Sequence, residues 1–103
     1  MLDTAQQIHG FAAARVRDDL DDDVKFRLAV ERGLEIIGVA ASRVSPEYRS
    51  EHPEVPWQRI ISLRNVIAHE YGDIILDQIW VVVKERIPEL IALLGPLIPP
   101  EEP

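Results

Sequence analysis

Apolar residues recur at three- and four-residue steps along most of the chain, which is the spacing of amphipathic helices. Ile8, Phe11, Ala12 and Val16 fall on one face of a first helix, with Asp3 or Thr4 placed to cap it. The acidic run Asp18, Asp19, Asp21, Asp22 and Asp23 follows, and carboxylates there suit the positive end of a second helix. A solvated cap is favoured over a metal site for this run, because runs of like charge are usually hydrated. The second helix is predicted from near Asp23 to Val44, with Phe26, Ala29, Val30, Gly33, Ile37, Ala40, Ala41 and Val44 as its apolar stripe. Gly33 and Gly38 each cost roughly 1 kcal/mol of helix propensity relative to Ala, and their small size admits a close neighbouring helix.

From Ser45 to Pro56 the pattern breaks into a connecting loop, with room for one helical turn after Ser45-Pro46. A third helix is expected between Pro56 and Gly72. A fourth starts at Asp73 or Asp77 and carries Leu76, Ile79, Trp80, Val83, Ile87, Leu90, Ile91 and Leu94 in register. Pro88 interrupts it, so a kink is expected near Lys84, whose carbonyl the proline ring would press against. No strand period or hairpin turn occurs, which predicts an all-α, antiparallel four- to five-helix bundle. The bundle domain is placed at residues 1–94, and the proline-rich tail at 95–103 is expected to be poorly ordered.

Composition narrows the setting more than the fold. With 103 residues there is core enough for one domain. The chain has no cysteine, so disulfides and thiolate metal sites are excluded and a cytoplasmic location is expected. No export signal or membrane-length apolar run is present. Lys+Arg number 11 against 18 Asp+Glu, a net charge of -7, which opposes broad phosphate neutralisation. Any RNA contact must then come from a local basic cluster or a basic partner.

The third helix holds the unusual chemistry. Its apolar stripe reads Trp57, Ile60, Ile61, Arg64, Ile67, Ala68 and Tyr71, so a guanidinium stands where periodicity asks for a hydrophobe. Such a group must be paired, at an interface, or ready for an anion. Asn65 and His69, four residues apart, share a second, polar face. Arg64 and His69 lie roughly 140° apart on a regular helix, so convergence on one atom needs a distorted helix end or a second copy of the helix across a two-fold axis. A homodimer with Arg64 in its interface is therefore expected. His69 suits proton transfer near neutral pH, and Arg64 suits stabilising charge on phosphoryl oxygens without a metal. Asn65 is placed to orient the phosphate or the imidazole, and the Tyr71 hydroxyl to donate a hydrogen bond or accept a modification. Structural roles for a helical His or a striped Arg are the common alternative. His9 and His52 carry no such constellation and are expected at the surface.

The run Arg64-Asn65-Val66-Ile67-Ala68-His69-Glu70-Tyr71 resembles the Arg, four residues, His, one residue, Tyr signature of HepT-like toxins in the HEPN superfamily. Ala29-Val30-Glu31-Arg32, Glu35-Ile36-Ile37-Gly38, Pro53-Glu54-Val55-Pro56-Trp57 and Ile79-Trp80 resemble that family in order and spacing, so the similarity covers roughly residues 5 to 94. It implies a HEPN-like bundle that dimerises around the motif helix, with Arg64, Asn65 and His69 as catalytic residues. It also implies metal-independent endoribonuclease activity in a type II toxin–antitoxin pair. The partner is then a minimal nucleotidyltransferase antitoxin of the MntA type that transfers AMP to Tyr71; no cofactor or metal is implied. One family position departs: Val39 stands where Ile-Gly-Glu-Ala members carry a glutamate. That change and the acidic charge keep open an alternative, a non-catalytic helical partner of the nucleotidyltransferase with a nucleotide as a further ligand. A plain scaffold would leave Arg64 unexplained.

Overall fold

The computed structural model describes residues 1–63 and 73–97, and every regular element among them is helical. In chain order these are α1 (Leu2–Ala12), α2 (Asp19–Asp22), α3 (Val24–Ser42), α4 (Pro46–Glu51), α5 (Trp57–Ile61) and α6 (Asp73–Val81). A π-helical turn (Val82–Arg86), α7 (Ile87–Leu94) and a 3₁₀ turn (Gly95–Leu97) complete them.

Neither Asp3 nor Thr4 caps α1. The Ala5 N–H already donates to the Met1 carbonyl at 2.9 Å, so the helix starts earlier and Asp3 sits in its first turn, facing the positive end. Its buried line is Ala5, Ile8 and Ala12. Phe11, 48% exposed, lies to one side of that line, and Val16, 63% exposed, falls beyond the end of the helix. Both were expected on the apolar face.

The acidic run forms a turn of its own, α2, before α3 begins. The Asp19 carboxylate accepts the Val16 N–H at 2.9 Å, and Asp23 caps α3 by accepting the Phe26 N–H at 3.2 Å. Arg15 pairs with Asp23 at 2.9 Å, while Arg17 bridges Asp21 at 2.7 Å and Asp77 at 2.6 Å, tying this corner to α6. Among the described residues no group of three or more His, Cys, Asp or Glu is placed to hold a metal ion.

Along α3 the interior receives Phe26, Val30, Gly33, Leu34, Ile37, Gly38 and Ala41, and also Glu31. Ala29, Ala40 and Val44 from the expected stripe are only half-buried, at its edges. Gly33 admits α1 closely: a methyl group there would stand 2.7 Å from Cδ1 and 2.8 Å from Cγ1 of Ile8.

The loop after α3 does fold into one short helix. Ser45 accepts the Tyr48 N–H at 3.2 Å and Pro46 opens the first turn of α4. The Arg49 guanidinium donates to the carbonyls of Val44 (3.0 Å) and Ser42 (3.3 Å), satisfying the C-terminal end of α3. The Trp57 indole donates to the His52 carbonyl at 3.0 Å, and the Tyr48 ring lies 4.4 Å from that of His52. His52, expected at the surface, is thus half-buried in the packing that sets the start of α5, whereas His9 is exposed.

The expected kink takes the form of the π turn. Pro88 has no N–H to give the Lys84 carbonyl and its ring crowds that oxygen, so the chain widens just before α7. The Lys84 ammonium donates to the Ala12 carbonyl at 2.9 Å and lies 4.9 Å from the Trp80 ring centre, closing the C-terminal end of α1. Leu76, Ile79, Val83, Ile87, Leu90 and Leu94 are buried as the periodicity requires, with Trp80 and Ile91 packed half-buried at the edge.

Packing places α5 on α3, α3 on α1 and α1 on α7, and these helices share one core. Among the described residues no helix is long and apolar enough to cross a membrane.

Candidate active site

Helix α5 leads into the segment on which the sequence concentrates its chemistry. Pro56 precedes it, Trp57 and Ile60 anchor it in the core, and Ile61 and Leu63 pack half-buried beside them. The regular helix ends at Ile61, where the Ser62 hydroxyl donates to the Arg59 carbonyl at 2.7 Å. A serine bonded back to the preceding turn competes with helix propagation, which accounts for this break in the helix expected from Pro56 to Gly72. Arg64, Asn65, His69 and Tyr71 themselves, and the expected end at Gly72, lie outside the described residues.

Two features of the described residues stand out. One is a cleft of about 570 Å³ between α5 and the α6–α7 arm. Ile60, Leu63, Val82 and Leu93 give it apolar walls, while Arg59, Ser62, Gln78 and Arg86 stand along it as polar groups. Arg86 is paired with Glu89 at 3.1 Å, and Asp77, also on the cleft, with Arg17. Arg59 makes no ion pair among the described residues and is exposed, so its charge is available at the mouth.

The other feature is Glu31, 6% exposed in the middle of α3 and 3.9 Å from the Arg27 Nε. The sequence reading passed over it, because helical periodicity counted it as off the apolar stripe. Its seven-residue spacing from Gly38, a spacing that repeats a helix face, was the available signal. Val39, at the position where a family carboxylate is expected, is half-buried on α3, and Ser42 donates to its carbonyl at 2.6 Å.

Among the described residues, two groups at the acidic corner have shifted ionisation. The Phe26 N–H, and then Arg15, hold the Asp23 carboxyl below its ordinary value. Hydrogen bonds to Asp77 and Asp21 raise Arg17, so that guanidinium stays charged at any working pH. These groups fasten α2, α3 and α6 together rather than perform chemistry.

The helices, with no strand among the described residues, form an all-α, HEPN-like bundle. The chain belongs to the HepT-like ribonuclease family: the family model described as Ribonuclease HepT-like matches residues 1–97. It is similar to a candidate RNase of Methanocaldococcus jannaschii, 32% identical over 90 residues, covering 87% of this chain and 83% of the relative. A candidate ribonuclease HepT of Thermococcus cleftensis is 37% identical over 73 residues, 71% of this chain and 66% of its own. A candidate RNase of Caldanaerobacter subterraneus subsp. tengcongensis is 37% identical over 73 residues, 71% of this chain and 65% of its own. No solved structure matches the chain.

Proposed function

We propose that this protein is a metal-independent endoribonuclease acting as the toxin of a type II toxin–antitoxin pair. The observation that carries the reading is the family match across residues 1–97, which spans the intact set Arg64, Asn65, His69 and Tyr71. The relatives' names as ribonucleases support the same substrate class.

In the reaction, His69 takes the proton from the RNA 2′-hydroxyl, whose oxygen attacks the adjacent phosphorus. The bond to the 5′-oxygen breaks, and that oxygen leaves with a proton returned by an imidazole. Arg64 binds the phosphoryl oxygens as their charge grows, and Asn65 orients the phosphate or the imidazole. Products are a 2′,3′-cyclic phosphate and a 5′-hydroxyl. Because Arg64 and His69 diverge on a straight helix, the working form is a homodimer built around the motif segment, residues 1–94 forming the domain and 95–103 a tail. A cytoplasmic setting suits this substrate.

His69→Ala is expected to abolish RNA cleavage and growth inhibition while leaving helical content and oligomeric state unchanged. Cleavage should persist in EDTA and yield the cyclic phosphate. Loss of cleavage in the chelator, or full toxicity of His69→Ala, overturns the mechanism.

Control is assigned to Tyr71, as the acceptor of AMP from a minimal nucleotidyltransferase antitoxin. The added phosphate would compete with RNA for the same donors. Mass spectrometry after co-expression should show mass added in multiples of one AMP on the Tyr71 peptide, and none for Tyr71→Phe; equal neutralisation of Tyr71→Phe overturns this route.

A net charge of -7 and Val39 in place of a carboxylate favour a second reading, a non-catalytic helical partner that binds the nucleotidyltransferase and a nucleotide. Undetectable cleavage by the wild-type homodimer, together with tight binding to the nucleotidyltransferase, would establish it.

A further inference from the structure

The side of α3 turned away from the core is not uniformly polar. Leu28 is 54% exposed, Ile36 is 40% exposed, and Val39 is half-buried on the same side. Arg32 and Glu35 stand between them, paired to each other at 3.1 Å. A single exposed leucine is ordinary, but the order of residues here follows a rule. Lys25, Leu28, Arg32, Glu35, Val39 and Ser42 recur at alternating steps of three and four, the seam spacing of two helices packed side by side. The core takes other residues of α3, among them Phe26, Val30, Leu34, Ile37 and Ala41, so this seam is additional to the one the core uses.

Symmetry decides what fits it. When a helix pairs with an antiparallel copy of itself across a two-fold axis, residues equally far from the axis meet, and each contact occurs twice. An axis level with the peptide bond between Gly33 and Leu34 sets Leu28 against the partner's Val39 and Arg32 against the partner's Glu35. Lys25 then meets the partner's Ser42, so no like charges are opposed. Apolar side chains thus face apolar ones, and cations face carboxylates, in a single register. The neighbouring registers set Leu28 against the partner's Arg32, or Val39 against the partner's Glu35, and each desolvates a charge on a hydrophobe. A parallel pairing in register brings arginine to arginine. RNA is a poorer match, because these six positions hold no aromatic ring for a base to stack on and Arg32 already has a carboxylate beside it.

We propose that this face of α3 is an isologous interface between two copies of the chain, in which Arg32 and Glu35 set the register and Leu28 and Val39 supply the apolar contact. The proposal rests on the homodimeric reading above and does not depend on the RNA chemistry. The test is sedimentation velocity of the full chain over a range of concentrations, for wild type, Arg32→Glu, Glu35→Arg and an equimolar mixture of these two variants. Helical content, followed in parallel, should not change, since both side chains are on the outside of the protomer. Each variant alone opposes like charges twice, and its dimer should have a Kd about tenfold or more above the wild type. In the mixture every opposed pair is again of opposite sign, so a heterodimer of nearly wild-type affinity should form. Leu28→Ser should weaken the dimer whichever charge variant it is mixed with. Variants that dimerise like the wild type, or a mixture no tighter than its components, would overturn the α3 interface and leave a homodimer built on another surface. If such variants instead lose binding to a single-stranded RNA oligonucleotide or to the nucleotidyltransferase, the face belongs to that partner. A wild type that stays monomeric throughout would overturn the homodimeric reading and this inference with it.

Discussion

Where α1 meets α3, the two helices close over Gly33, and a single added methyl group would lie 2.7 Å from the Ile8 side chain. Where α5 meets the α6–α7 arm, a cleft of about 570 Å³ remains between walls of similar residues. The residue types do not explain the difference, since leucine, isoleucine and valine line both. A glycine on α3 lets one pair of helices approach, whereas the serine break after Ile61 and the π turn at Val82–Arg86 interrupt both walls of the other. Close packing is thereby concentrated at the α1–α3 seam, and accessible surface at the cleft between α5 and the α6–α7 arm.

The largest expected effect contrasts two leucines. Leu34 is 1% exposed on α3, so Leu34→Ala should cost about 2 to 5 kcal/mol in chemical denaturation. Leu93 is half-buried on the cleft wall, and Leu93→Ala should cost about 1 kcal/mol or less in dilute protein. Equal losses would show that the cleft is packed in solution as tightly as the α1–α3 seam.

A smaller effect tests the seam itself. Gly33→Ala gains roughly 1 kcal/mol of helix propensity. Against this, overpacking costs about 1 to 3 kcal/mol, and Ile8, fully buried, has no free space into which it can retreat. The net expectation is a loss on the order of 1 kcal/mol. Combined with Ile8→Val, which removes the Cδ1 contact, the loss should be less than the sum of the single variants. Strict additivity, or a stabilised Gly33→Ala, would mean that α1 is not held as closely as the geometry requires.

Most of this contrast was legible in the chain. Binary periodicity located α3 and the C-terminal arm, and proline chemistry placed the distortion beside Lys84, because each rule acts within one helix. The sequence also named Gly33 as a close-approach site, though not the residue that fills it. What escaped depended on where a helix ends or on what lies across from it. Phe11 lies within α1 but to one side of its buried line, and Val16 looked like an interior residue only on the assumption that α1 continues past Ala12. His52 gained its role from Tyr48 and Trp57, neighbours brought together by the fold of the loop. Glu31 was invisible because periodicity scores a charge as outward, while burial is decided by the opposing helix. For the site, the sequence motif supplies Arg64, Asn65, His69 and Tyr71 as candidates, and the described geometry supplies the cleft between α5 and the α6–α7 arm.

The smallest effect belongs to the acidic corner, whose ion pairs tie the segment around α2 to α3 and α6. Asp23 caps α3 through the Phe26 N–H and pairs with Arg15, and both interactions hold its carboxyl below the ordinary 3.8. A group whose ionised form is favoured by folding adds stability above its unfolded value, and that contribution is lost as pH falls through the lower, folded value. The loss therefore begins near pH 4 and proceeds below it, with no change expected between pH 5 and 8. Asp23→Asn retains an oxygen that can accept the Phe26 N–H but removes the charge that Arg15 and the helix end favour. At pH 7 the wild type should melt slightly above Asp23→Asn, and by about pH 3 the two melting temperatures should draw together. A difference that stayed constant from pH 7 to pH 3 would mean that Asp23 contributes through shape and hydrogen bonding alone. The stability difference at this corner would then owe nothing to charge.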